Sequence, residues 1–172
     1  MPVDEPMPGD QTVSITRVPA AERALIHDLY PTYIEAMSAF VPVPTTADGA
    51  LRFDPAWLDR YWQEPHHHPY AIRCGQHLAG FALLRPAAAD TGIHDMGQFF
   101  VRPEYQRAGV GERAARLCLA AHPGHWQIRV LLNNQPALSF WEHVLAAATG
   151  GTYTATQEFD EDLRMQFFRF AC

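Results

Sequence analysis

A chain of 172 residues with 48% hydrophobic content is long enough to bury a core of its own and leaves little room for a second domain. All 13 basic residues are arginine, and with 19 acidic ones the formal charge of −6 repels duplex nucleic acid and attracts a cationic amine. No apolar run reaches the roughly 20 residues that span a bilayer, and Cys74, Cys118 and Cys172 form neither a disulfide framework nor a zinc pattern, which points to a reduced cytoplasm.

Residues 1–11, acidic and proline-rich, read as a disordered leader, and 12–172 as one domain. Alternation over 12–18 predicts a first strand that Pro19 ends. Beyond Ala20, Leu25, Ile26, Leu29 and Tyr33 recur at helical spacing, with Pro31 expected to divide the run into two short helices. Pro42, Pro44 and Gly49 predict a mobile loop over 41–53. Asp54 as N-cap and Pro55 behind it then open a helix carrying Trp57, Leu58, Tyr61 and Trp62 that stops before Pro65. Residues 70–73 and 78–85 flank Cys74-Gly75-Gln76-His77 as an antiparallel hairpin of central strands. A small-residue loop over 86–92, a strand over 93–101, a helix over 112–121 and a strand over 126–132 follow. A helix over 134–148, ended by Gly150-Gly151, and a closing strand pair over 152–159 and 163–170 complete an α/β order.

The most informative stretch is 101–111, VRPEYQRAGVG, where a strand end, a glycine turn and a helix start meet. The first N–H groups of a helix lack intrahelical partners and carry the positive end of its dipole, so Gly109 and Gly111 open an anion site there. Gln106, Arg107 and Arg113 stand ready to add donors or charge. A dinucleotide fingerprint is disfavoured because Ala114 stands where its third glycine belongs and no acidic residue lies about 20 positions on, and a Walker turn is excluded because the chain has no lysine.

Gln106, Gly109 and Gly111 match the signature Q/R-x-x-G-x-G/A, and Asn134, Ala137, Phe140 and Trp141 match N-x-x-A-x-x-F-aromatic downstream. The chain thereby resembles the GNAT superfamily of acyl-CoA-dependent N-acyltransferases, most strongly over 93–141. The resemblance implies a mixed, mostly antiparallel sheet flanked by helices, with two splayed strands forming the acetyl-CoA cleft. It implies that the main chain of Phe99, Phe100 and Val101 bonds the pantetheine arm. The turn of Gln106, Arg107, Ala108, Gly109, Val110 and Gly111 would take the diphosphate, and Asn134 would reach the arm. Acetyl-CoA would be the co-substrate, no metal is required, and the acceptor would be a small-molecule amine. Neither nucleic acid nor membrane is an expected partner, and a homodimer is compatible.

An amine must shed a proton before it attacks a thioester. Asp95 has the spacing at which several relatives place their general base, and His94 offers the same service from the opposite face. A solvated or loop-capping Asp95 is the alternative. Strand alternation puts Asp95, Gly97, Phe99 and Val101 on one face and His94, Met96, Gln98 and Phe100 on the other. Two positions depart from the family pattern. Gln98 stands where many relatives carry Glu, and Trp141 where the thiolate-protonating tyrosine often sits. His143, Ser139 and Tyr153 are the remaining acids, unless the thiolate leaves unaided. His66, His67 and His68, consecutive in a proline-flanked loop, cannot converge on one ion. These departures leave a second reading open, a coenzyme-binding sensor with the same fold and little turnover.

Overall fold

The computed structural model describes residues 11–87 and 90–172, so the leader expected over 1–11 lies, but for Gln11, outside the described residues. Its strands are β1 (Val13–Arg17), β2 (His68–Cys74), β3 (His77–Ala87), β4 (Asp90–Val101), β5 (His125–Leu131), β6 (Thr154–Asp160) and β7 (Leu163–Ala171). Its helices are α1 (Ala24–Met37), α2 (Pro55–Gln63), α3 (Val110–Ala121) and α4 (Gln135–Thr149). The strands form one sheet of order β1-β2-β3-β4-β5-β7-β6, antiparallel except between β4 and β5.

Each face of this sheet has its own core. Phe81 and Leu83 of β3 pack with Ile26 and Tyr30 of α1 and Leu58 and Tyr61 of α2, whereas Ala82 and Leu84 pack with Ala114, Cys118, Trp141 and Val144 of α3 and α4. A strand buried on both faces has no polar alternation, which is why β3 reads as a continuous apolar run. The helix starts follow their capping chemistry. Asp54 accepts the Ala56 N–H at 2.9 Å to open α2, and Asn134 accepts the Ala137 N–H at 3.2 Å to open α4.

Two expectations are corrected. Pro31 does not divide α1, which runs unbroken from Ala24 to Met37. A proline in a helix interior costs about 3 kcal/mol, but Ile26 and Tyr30 before it and Tyr33 and Ile34 after it all pack into the same core and hold both halves in line. The loop expected over 86–92 is mostly strand: Pro86 pairs with His94 and Ala87 with Asp90. Small residues carry no strand pattern, yet backbone pairing does not require one; residues 88 and 89 lie outside the described set. Residues 41–53 form the expected loop, drawn together by a bridge between Thr45 and Leu51 and by the Arg52 N–H donating to the Pro44 carbonyl at 2.7 Å. No helix among the described residues is long and apolar enough to cross a membrane.

Candidate active site

The geometry of the site is set by one extra residue in β4. Gln98 opposes Leu83 and Met96 opposes Leu84, so Gly97 has no partner on β3 and forms a bulge. Because strand side chains alternate, one inserted residue reverses the faces on either side of it. Met96, Phe99 and Val101 therefore share the α3/α4 core, while Phe100 joins the α1/α2 core and Gln98 donates from Nε2 to Tyr30 Oη at 2.9 Å. The alternation expected across β4 is thus broken, and Asp95 shares a face with Gln98 and Phe100, not with Phe99 and Val101. Only glycine fits the bulge. A Cβ there would lie 2.7 Å from Tyr61 Oη and 3.0 Å from the Leu83 carbonyl oxygen.

Bulges bend and twist a strand, and β4 parts from β5 at this point. Ile93 pairs with His125, His94 with Trp126 and Asp95 with Gln127, and the parallel pairing ends there. A cavity of about 260 Å³ occupies the gap, lined by Gln98 and Phe99 of β4, Ile128 and Val130 of β5, Tyr33 of α1, and Asn134 and Trp141 at α4. Phe99 stacks on Phe140 at 5.7 Å, and Trp141 meets both rings edge-on at 5.3 and 5.0 Å. Trp141 is buried and packs here.

Phe140 links this cavity to the glycine turn, since its ring lies 3.2 Å from where a Gly111 Cβ would stand. In the turn Gln106 Nε2 donates to the Val101 carbonyl at 2.8 Å, fastening the loop to the strand end, so this side chain is engaged internally. Gly109 has φ +77° and Arg107 φ +63°. The left-handed conformation costs an L-residue about 1–2 kcal/mol, which Gly109 avoids. The Arg113 N–H donates to the Gly109 carbonyl at 3.1 Å, so the N–H groups of Val110, Gly111 and Glu112 precede the helical ladder. Gln106, Arg107, Ala108 and Gly109 are exposed around them. This is the arrangement an anion binds.

Asp95 is 1% exposed. It accepts from Gln127 Nε2 at 2.9 Å and Arg129 Nη2 at 3.3 Å, with Arg129 Nε 3.1 Å and Arg85 Nε 3.7 Å away. Arg129 continues to Asp160 through Nη1. His94 lies on the opposite face, its ring 5.1 Å from Trp126 and 5.4 Å from His122. Neither Asp95 nor His94 lines the cavity. His143, exposed and 3.2 Å from Glu112, and Tyr153, packed on Phe168, stand outside it too, as does Ser139. Burial pushes the Tyr30 phenol up to about 12 and raises Tyr33 and Tyr61 as well, so these hydroxyls stay protonated. Among the described residues no group of three or more His, Cys, Asp or Glu side chains is placed to hold a metal ion.

Sequence reasoning missed Arg85, Arg129 and Asp160, which form the polar wall of the cavity. Arg85 did leave a signal, as the one charge ending the apolar run of β3.

The sequence profile of the Acetyltransferase (GNAT) family matches residues 26–146. The chain belongs to this family. No curated protein matches the chain by sequence. Among solved structures, an acetyltransferase from Thermus thermophilus superimposes with a TM-score of 0.67 at 15% identity, over 95% of this chain and 99% of that one. Spermidine N-acetyltransferase from Vibrio cholerae, in complex with CoA and spermine, gives 0.64 at 13% identity, over 92% and 95%. A Salmonella typhimurium structure with its cofactor acetyl-CoA gives 0.58 at 16% identity, over 92% and 93%. At these identities the likeness is one of fold: the seven-stranded, mostly antiparallel sheet with four helices is the GNAT fold.

Proposed function

We propose that this GNAT protein, with residues 12–172 as one catalytic domain, transfers the acetyl group of acetyl-CoA directly to a primary amine of a small molecule. The observation that carries the reading is the parting of β4 from β5 beyond Asp95 and Gln127, beside a helix start whose first N–H groups precede the helical ladder. In this reading the turn from Gln106 to Gly111 holds the diphosphate. The main chain of Phe99 and Val101, on the β5 side of β4, pairs with the pantetheine arm as an added strand would, and Asn134 meets the arm from α4; the Phe100 carbonyl is turned instead toward Gly80 of β3, which removes Phe100 from the expected contacts. A backbone N–H of this β4 segment stabilises the oxyanion of the tetrahedral intermediate. The departing thiolate needs no protein acid, since a thiol pKa near 8.5 makes it a tolerable leaving group.

Asp95 enters as a positioning residue. Its carboxylate is engaged by Arg129 and Gln127 and does not line the cavity, so it is not placed to meet an amine, and water admitted to the cavity takes the proton. His94, on the far face, takes no part. The three unpaired cysteines support a reducing compartment, the cytoplasm.

Calorimetry with acetyl-CoA, together with thiol release across a panel of amines, tests this function. We expect amine-stimulated release with intersecting initial-rate lines, and a coenzyme affinity that falls at least about tenfold in Gly109→Val, which forces a β-branched residue into the left-handed turn. Tight binding with no amine able to stimulate release would establish the sensor reading instead, and parallel rate lines would replace direct transfer with a covalent intermediate.

A further inference from the structure

Resting on the acetyl-transfer reading, we propose that the acceptor is a zwitterion, an apolar amino acid or close analogue, whose carboxylate is bound by Arg85. Four side chains set the polarity of the acceptor side of the cavity: Arg85, Gln98, Arg129 and Asp160. Arg129 is held on both sides, with Nη1 bonded to Asp160, Nη2 bonded to Asp95 and Nε 3.1 Å from the same carboxylate without a hydrogen bond among the described residues. Asp160 is the acidic side chain of the lining, and it is committed to that arginine. A polycation would therefore meet two guanidiniums and no unpaired carboxylate.

Arg85 is differently placed. Its Nε faces Asp95 at 3.7 Å, while its Nη1 and Nη2 have no hydrogen-bond partner among the described residues; the side chain is 25% exposed and lines the cavity. The free Nη edge of a guanidinium fits a carboxylate through two parallel hydrogen bonds. Its ion pair with Asp95 runs through Nε alone, at 3.7 Å, so the Nη edge keeps its hydrogen-bonding capacity for a ligand. The stem of Arg85 crosses the bulge, with Cδ 3.4 Å from the Cβ position of Gly97. The next residue, Gln98, holds Tyr30 through Nε2 and leaves Oε1 buried without a partner among the described residues, an acceptor for the N–H of an incoming amine. With its stem over Gly97, Arg85 of β3 lies beside Gln98 of β4, and an anion site and an amine site on neighbouring strands suit a substrate whose two charged groups are separated by few bonds. Met37, Val41 and Leu163 supply an apolar wall for its side chain.

Leucine, leucinamide, 3-methylbutylamine and spermidine, assayed by thiol release with wild type, Arg85→Gln and Arg85→Lys, decide the matter. We expect leucine to exceed the three others in kcat/KM by about 10²-fold in the wild type, consistent with loss of a buried charge-assisted pair. Arg85→Gln should abolish the preference at unchanged coenzyme affinity, with Arg85→Lys restoring part of it. Equal or better rates with leucinamide, the plain amine or spermidine, or a preference that survives in Arg85→Gln, would overturn the zwitterion proposal and leave acetyl transfer standing. Titration of leucine and leucinamide into the CoA-saturated protein gives the second readout, independent of turnover. If no amine is acetylated yet leucine binds in an Arg85-dependent way, the zwitterion site stands and the transfer reading falls. If leucine binding does not depend on Arg85, the site is overturned.

Discussion

Asp95 shows how much a single buried carboxylate can organise. It lies beneath the cavity, holds Gln127 and Arg129, and faces Arg85. Removing one partner from a buried ion cluster leaves the others uncompensated. Asp95→Asn should lower unfolding stability in urea by about 3–5 kcal/mol. Its coenzyme affinity should stay near that of the wild type, since the glycine turn lies at the other end of β4. An aspartate that served only as a solvated cap would give a far smaller stability change. The residues legible beforehand are those with local duties. Asp54 was readable as a cap and Gly109 as part of a glycine turn, whereas the cap that Asn134 supplies to α4 was not read. Nor were Arg85 and Arg129, because their partners come from other strands.

Among the elements, β4 differs most from its expected form. Its end at Val101 and its lead into the turn follow from the sequence pattern, but its faces do not, since the bulge at Gly97 exists only against β3. Gly97→Ala should destabilise by about 1–3 kcal/mol through overpacking against Tyr61 Oη and the Leu83 carbonyl. Tyr61 Oη is buried with no hydrogen-bond partner, so Tyr61→Phe alone should be close to neutral or stabilising. Combined with Gly97→Ala it should recover part of the loss, because the nearest obstructing atom is gone. Thermal melts of the two single variants and the double variant check this, and strictly additive effects would show that the hydroxyl is not the obstacle. α1 teaches the converse lesson: the penalty at Pro31 was legible, but the burial on both sides that overrides it was not.

At the scale of the whole molecule, a cluster of histidines joins β2, β4 and the end of α3. His122 lies with its ring 4.5 Å from His68 and 5.4 Å from His94; Tyr70 Oη meets His122 Nε2 at 2.8 Å, and Arg17 donates to His68 Nδ1. Burial first, then the fields of His122, Arg17 and His94, push His68 down to about 4; burial likewise lowers His122. Their unfolded value is about 6.5, so on acidification the unfolded chain takes up protons before the folded one. This contribution to stability is complete above about pH 6.5 and is lost as pH falls through about 4. The melting temperature should therefore drop between pH 7 and pH 5 more steeply for the wild type than for His68→Asn, and equal slopes would remove His68 from the account.

The order of elements, the cap at Asp54, the glycine turn and both family signatures were determined by the sequence itself, because each depends on conformational preferences within a few neighbouring residues. The tertiary structure alone decided the faces of β4, the opening beside β5 and the pairing of Asp95 with its arginines. Those depend on which strands lie side by side and in what register. Bringing Leu83 opposite Gln98, or Asp95 against Arg129, is a matter of backbone pairing over long separations, and no local preference encodes it.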